Sequence, residues 1–224
     1  SCIETGRVYG MPDGLEIRNV VIRKCQSELL WINTKVEPGA VLTLMGPSGV
    51  GKSTLLSLIM GDLPLGFSAE GTVRLNGKDL NGLAPEARRV GILYQDPLLF
   101  PHLDVSANLG FGLPRGGTHA ERRHKIAGAL REIGLDDYGP RDPATLSGGQ
   151  AARVALMRVL LSKPEALLLD EHFSKLATGL RDQMRRLVFG GAKAAAVPVL
   201  IVTHDDADAA AAGGEIIRLS LRST

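Results

Sequence analysis

The chain of 224 residues is long enough for one domain, or one domain with an inserted subdomain, around a sizeable core. A formal net charge of +2 excludes the broad basic field of a nucleic-acid binder, and two cysteines, Cys2 and Cys25, exclude a disulfide framework and fit a reducing compartment. The 44% hydrophobic and 22% charged composition, with no run near the roughly 18 apolar residues of a membrane span, points to a cytosolic globular protein.

Residues 1–14 are Gly- and polar-rich, predict a partly disordered start, and carry no charged-then-apolar leader. "LEIRNVVIRK", "LLWINTKV" and "GTVRLNGKDL" alternate as antiparallel strands do, with Trp31 expected as a strand packing residue. The Asn-Gly pair in "LNGK" predicts a tight hairpin. Four later runs are unbroken and apolar: "AVLTLM" (40–45), "VGILYQ" (90–95), "ALLLD" (166–170) and "VLIVTH" (199–204). They predict parallel strands covered on both faces by helices. Each leads to a Gly, Gln, Asp or His at its carboxyl end, where such sheets gather ligands.

"HAERRHKIAGALREIGL" predicts a helix over 119–135, apolar at Ile126, Ala129, Leu130 and Ile133. Arg122, Arg123 and Lys125 are expected on its solvated face, and His119 and His124 do not suit a metal pair. "QAARVALMRVLLSKP" predicts a second helix, stopped by Pro164. Segments 96–118 and 136–149 are rich in Pro, Gly and Asn and are expected as loops. Residues 205–215, "DDADAAAAGGE", predict an Ala-rich helix and turn whose acidic start complements the helix dipole.

The first strongly chemical stretch is "GPSGVGKST", comprising Gly46, Pro47, Ser48, Gly49, Val50, Gly51, Lys52, Ser53 and Thr54. Its spacing, Gly-x4-Gly-Lys-Ser, lets successive backbone N–H groups curl around a polyphosphate. Pro47 has no N–H, so the cradle must be built from Gly49 to Thr54. A helix starting near Lys52 adds its positive end. Lys52 is expected on the β- and γ-phosphates and the Ser53 hydroxyl on Mg²⁺. A chance Gly-rich turn is the plain alternative, and the strand just before the loop argues against it.

"LSGGQ" supplies a second anion site, with Ser147, Gly148, Gly149 and Gln150 ahead of a helix. Alone, Ser-Gly-Gly is more often a simple helix cap. Here it precedes "ALLLDE", where Asp170 and Glu171 end a buried strand. Beside a phosphate loop, that pair reads as an Mg²⁺ partner and a water-orienting base.

Together these motifs resemble the ATP-binding cassette family, the nucleotide-binding subunits of ABC transporters, from about Leu15 to Leu221. The resemblance implies an α/β fold: a P-loop NTPase core with a mainly parallel sheet, an N-terminal antiparallel β subdomain, and an α-helical subdomain inserted at about 96–163. One ATPase domain would span 15–224. It implies ATP and Mg²⁺ as cofactors, and a head-to-tail dimer in which each ATP lies between one copy's phosphate loop and the other's "LSGGQ". Gln95 resembles the glutamine that contacts Mg²⁺ and the attacking water. Asp170 resembles the Mg²⁺-holding aspartate, Glu171 the catalytic glutamate and His204 the γ-phosphate-sensing histidine. "QDPLLFPHLDVSANLGFGL" is similar to importers of polyamines, thiamine, iron or molybdate. That implies permease subunits, a solute-binding protein, no nucleic acid, and a place on the inner face of the cell membrane. The early end after "EIIRLSL" suggests a stand-alone cassette without an added regulatory domain.

Three positions depart from the family pattern. Where an adenine-stacking aromatic is usual, the chain has Arg23, Lys24 and Cys25, so weaker adenine selectivity is expected. His172 replaces a proline after Glu171, which reads as a surface change. Ala177 replaces an aspartate that helps couple the two sites, so low or poorly cooperative turnover is expected.

Overall fold

The computed structural model describes residues 13–171 and 178–220. Its N-terminal sheet is antiparallel. Strands β1 (Leu15–Lys24) and β2 (Ser27–Val36) form a hairpin, joined by β4 (Phe67–Leu75) and β5 (Lys78–Asp79) in the order β2-β1-β4-β5. In β1 the inward positions are Leu15 and Ile17, then Val20 and Ile22. The change of parity comes from a bulge at Asn19, whose φ of 47° lies in the left-handed region that Asn tolerates. Gly71 makes room for it, because a Cβ there would stand 2.4 Å from the Asn19 carbonyl oxygen. Asn76, in the β4–β5 turn, accepts from the Asp13 and Gly14 backbone N–H groups.

The second sheet is entirely parallel. It runs β6 (Val90–Leu93), β7 (Ala166–Asp170), β8 (Val199–Thr203), β3 (Val41–Met45) and β9 (Glu215–Arg218). Alternate residues feed two cores. Ala166, Leu168, Leu200 and Val202 pack with α1 (Lys52–Met60) and the antiparallel sheet. Leu167, Leu169, Val199 and Ile201 pack with α4 (Gly148–Leu161) and α5 (Thr178–Ala194). Burial on both faces is why these strands read as unbroken apolar runs.

A third core joins α4 to α2 (Val105–Gly112) and α3 (His119–Glu132) in the helical subdomain. Two helices, α2 and α5, lie where no helix is expected from the sequence. The Asp104 side chain caps α2, and fully buried Asn108 bonds the Phe100, Leu103 and Asp104 carbonyls. Its glycines serve packing rather than a loop: a Cβ on Gly112 would stand 2.1 Å from the Arg158 carbonyl oxygen on α4. The 136–149 stretch holds two short 3₁₀ turns, Asp136–Tyr138 and Pro143–Thr145. The short helix α6 (Asp206–Ala212) forms as expected, capped by Asp205.

Two side chains correct their expected roles. Trp31 lies on β2 but is 51% exposed, on the face turned away from the core. Arg122 does not simply face solvent; its guanidinium donates to the Gly110 and Pro114 carbonyls and ties α3 to α2 and to the loop between them.

Candidate functional site

Three neighbouring strands, in the order β7-β8-β3, deliver their carboxyl ends to one edge of the parallel sheet. Beyond β3, the chain winds from Gly46 to Thr54 and opens into α1. Gly49 and Gly51 have φ of 85° and 98°, which side-chain-bearing residues rarely adopt. Gly51 caps α1, and a Cβ there would press on Leu29 and Leu30 at 3.2 Å. The β1–β2 hairpin therefore flanks the loop. Lys52 is 6% exposed, and its ammonium is folded back to donate to the Gly46 carbonyl at 2.6 Å and the Pro47 carbonyl at 3.0 Å. A polyphosphate offers the same cation better acceptors.

The Ser53 hydroxyl donates to Asp170 Oδ1 at 3.3 Å, joining α1 to the end of β7. Burial pushes the Asp170 carboxyl above its usual range, and nearby Glu171 adds to this, while the Ser53 hydrogen bond and Lys52 oppose it. A divalent cation relieves that penalty. Ser53 and Asp170 are hard oxygen donors, few in number, and suit Mg²⁺ completed by phosphate and water. Among the described residues there is no group of three acidic, His or Cys side chains that could hold a metal alone.

Glu171 follows with φ of 45°, a left-handed conformation costly for a residue with a side chain. Its backbone N–H donates to the Val202 carbonyl at 3.0 Å. Its Oε1 lies 2.8 Å from Nδ1 of His204, which follows β8. Gln95 lies two residues past Leu93 as Glu171 lies two past Leu169, and Leu93 and Leu169 are paired in register. Both therefore follow the carboxyl ends of neighbouring parallel strands, and the Gln95 side chain is exposed. Beside it, burial first, then the Asp62 and Asp170 charges, push the Tyr94 phenol upward. Nothing in its sequence position points to that. Arg218 and Asp206, paired at 3.0 Å, line a 350 Å³ cavity with Met45, Gly46, Pro47, His204 and Leu219. Asp206 was legible only as a helix start.

Ser147 and Gln150 form a reciprocal cap on α4. The Ser147 hydroxyl accepts from the Gln150 N–H at 3.3 Å, and Gln150 Oε1 accepts from the Ser147 N–H at 2.8 Å. The Gln150 amide also donates to the Tyr138 hydroxyl at 3.0 Å. Gly148 is exposed and a Cβ on it would meet nothing, so this surface is open to approach. No hydrogen bond among the described residues joins Ser147–Gln150 to the phosphate loop. Near the β1–β2 turn, Arg23 pairs with Glu70 at 2.7 Å, and the Lys24 ammonium stands 5.8 Å from the centre of the Phe67 ring. His172 and Ala177 lie outside the described residues.

A loop wound this tightly, opening on a helix and faced by a carboxylate pair, defines the class: a phosphate-loop nucleotide hydrolase with a helical subdomain. The comparisons narrow it. The ABC transporter family model matches residues 29–174. An uncharacterized ABC transporter ATP-binding protein of Escherichia coli K12, YnjD, is 48% identical over 190 residues, covering 84% of this chain and 88% of that protein. The Fe(3+) ions import protein FbpC 2 of Rhodococcus jostii is 47% identical, over 78% of this chain and 50% of its own length. The spermidine/putrescine import protein PotA of Pseudomonas aeruginosa is 41% identical, over 89% and 55%. The chain thus spans about half the length of these two import relatives. A dimeric structure of the ATP-binding cassette MJ0796, bound to ADP and Pi, aligns with a TM-score of 0.78 and 28% identity over 93% of this chain and 97% of that one. The chain belongs to the ABC transporter family, as an ATP-hydrolysing cassette.

Proposed function

We propose that this cassette powers a small-solute importer as a pair of identical copies on the inner face of the membrane. The observation that carries the reading is the separation of two half-sites. The phosphate loop, Asp170, Glu171 and His204 share one sheet edge, while the Ser147 cap is exposed at the start of α4 and no hydrogen bond among the described residues joins it to them. Each half-site is then completed by a second copy.

On binding ATP, Lys52 leaves the Gly46 and Pro47 carbonyls for the phosphates, and the N–H groups from Gly49 to Thr54 cradle them. Ser53 and Asp170 would hold Mg²⁺, which would supply charge neutralisation for the bound triphosphate. Glu171 accepts a proton from the attacking water, and His204 turns from Glu171 to the γ-phosphate. Gln95, just past the end of β6, senses the nucleotide and carries that change outward through residues 95–102. Exposed Leu98, and exposed Phe111 of α2 packed on Phe100, offer an apolar seat to a permease helix. A solute-binding protein acts indirectly, through the permease, and selects the solute.

Isolation of the intact complex tests this reading. Co-purification with a hydrophobic permease and a solute-binding protein is expected, and recovery of the cassette with neither overturns it. A second reading rests on Ala177: a nucleotide-gated switch that closes but seldom hydrolyses. Steady-state phosphate release separates the two. If Ala177 limits turnover, Ala177→Asp raises the rate or its cooperativity; no rise in either argues against a limiting role for this position.

A further inference from the structure

His204 is an exposed side chain, 62% accessible, so its own packing does not aim it. Its direction toward Glu171 depends on how the backbone on either side is held. On one side Thr203, fully buried in β8, accepts the Asp205 N–H on its hydroxyl at 3.0 Å. On the other side stands α6, only seven residues long and too short to be stable by itself. What anchors α6 is Asp208, 3% exposed, paired with the guanidinium of Arg185 on α5, 9% exposed. One turn earlier on α5, Arg181 faces Asp205 at 3.8 Å. Arg185 is itself oriented by Asp182 at 3.2 Å.

We infer that the Arg185–Asp208 pair is a positioning device for the reaction, fixing α6 on α5 so that His204 meets Glu171. This rests on the reading of His204 as a participant in hydrolysis. No hydrogen bond or ion pair among the described residues joins Asp208 to the phosphate loop, and the route to the reaction runs through α6 and His204. Removing the Asp208 charge takes from buried Arg185 the carboxylate that ties it to α6, while Asp182 keeps it on α5, and α6 shifts as that tie is lost. The phosphate-binding N–H groups and Lys52, held by α1 and β3, stay in place.

The test is a double-mutant cycle on the full chain, read as single-turnover hydrolysis of labelled ATP. Asp208→Asn is expected to lower kcat about 10- to 100-fold, the size of a small misplacement of a reacting group, with KM changed less than about twofold. In a His204→Ala background the same substitution should cost less than about twofold, because there is no imidazole left to aim. Equal losses in both backgrounds, an unchanged kcat, or a change confined to KM would overturn the inference. If His204→Ala itself leaves kcat intact, the reading of His204 fails, and that outcome is separate. Should Asp208→Asn not fold, Asp208→Glu and Arg185→Lys keep the charges and are judged by the same criterion: a several-fold loss that disappears without His204.

Discussion

Nδ1 of His204 lies 2.8 Å from Oε1 of Glu171, although the two residues stand 33 apart in sequence and follow different strands. The contact exists because β7 and β8 are parallel neighbours, with Asp170 paired in register to Val202. The Glu171 N–H bond to the Val202 carbonyl holds the left-handed turn that brings the carboxylate to the imidazole. The candidate base is thus presented with its hydrogen-bond partner already in place.

If Glu171 accepts the proton of the attacking water, Glu171→Gln should bind ATP normally and lose hydrolysis by about 10²–10⁴-fold. The substitution keeps the shape and removes the base, so nucleotide accumulates uncleaved between two copies. Size-exclusion chromatography with saturating ATP should show a dimer. A protein that stays monomeric under those conditions contradicts the shared-site account.

Asp170 should show a cost of function. Burial raises its pKa, so the folded chain holds this proton more tightly than the unfolded chain does. Stability from this group is greatest below the ordinary carboxylate pKa. It falls as pH rises from that value through the raised one, and it stays reduced at neutral pH. Asp170→Asn is therefore expected to raise the melting temperature at neutral pH without nucleotide, with the gain shrinking on acidification. Melting curves with no gain at neutral pH count against a burial penalty.

The base of the nucleotide has no aromatic platform at positions 23–25. Arg23 is engaged by Glu70 and Lys24 stands over Phe67, so a cation–π contact worth about 0.5–2 kcal/mol is the most they offer a purine. Competition binding should give less than a tenfold preference for ATP over GTP. A larger preference means that another part of the chain grips adenine.

Two glycines in the helical subdomain should respond oppositely to alanine. At Gly112 the new methyl drives into the Arg158 carbonyl and separates α2 from α4, costing about 1–3 kcal/mol. At Gly128, in α3, a Cβ meets nothing, and alanine should stabilise by about 0.5–1 kcal/mol through helix propensity. Denaturant unfolding of both variants checks the pair, and effects of the same sign would contradict it.

Much of the site is legible along the chain. Gly46–Thr54 is one continuous motif, and Asp170, Glu171 and His204 each end or follow an apolar run that can only be a buried strand. The helical subdomain was harder to read. Gly110 and Gly112 look like loop residues until Ile126 of α3 is seen against the first and α4 against the second. The α5 periodicity of Leu180, Met184, Leu187 and Val188 is present in the sequence but interrupted by Gly190 and Gly191. Trp31 failed for a different reason. Alternation predicts a strand without saying which parity faces the core, and the Asn19 bulge reverses that parity partway along β1.

By itself, the sequence determined the phosphate loop, the parallel strands and the order in which the candidate residues appear. These follow from contiguous residues and local backbone preferences. Only the tertiary structure decided which of them meet: that Ser53 reaches Asp170, that His204 reaches Glu171, and that Arg185 anchors the helix beside His204. Those contacts depend on strand order and on helix packing across long loops, and no short run of residues encodes either.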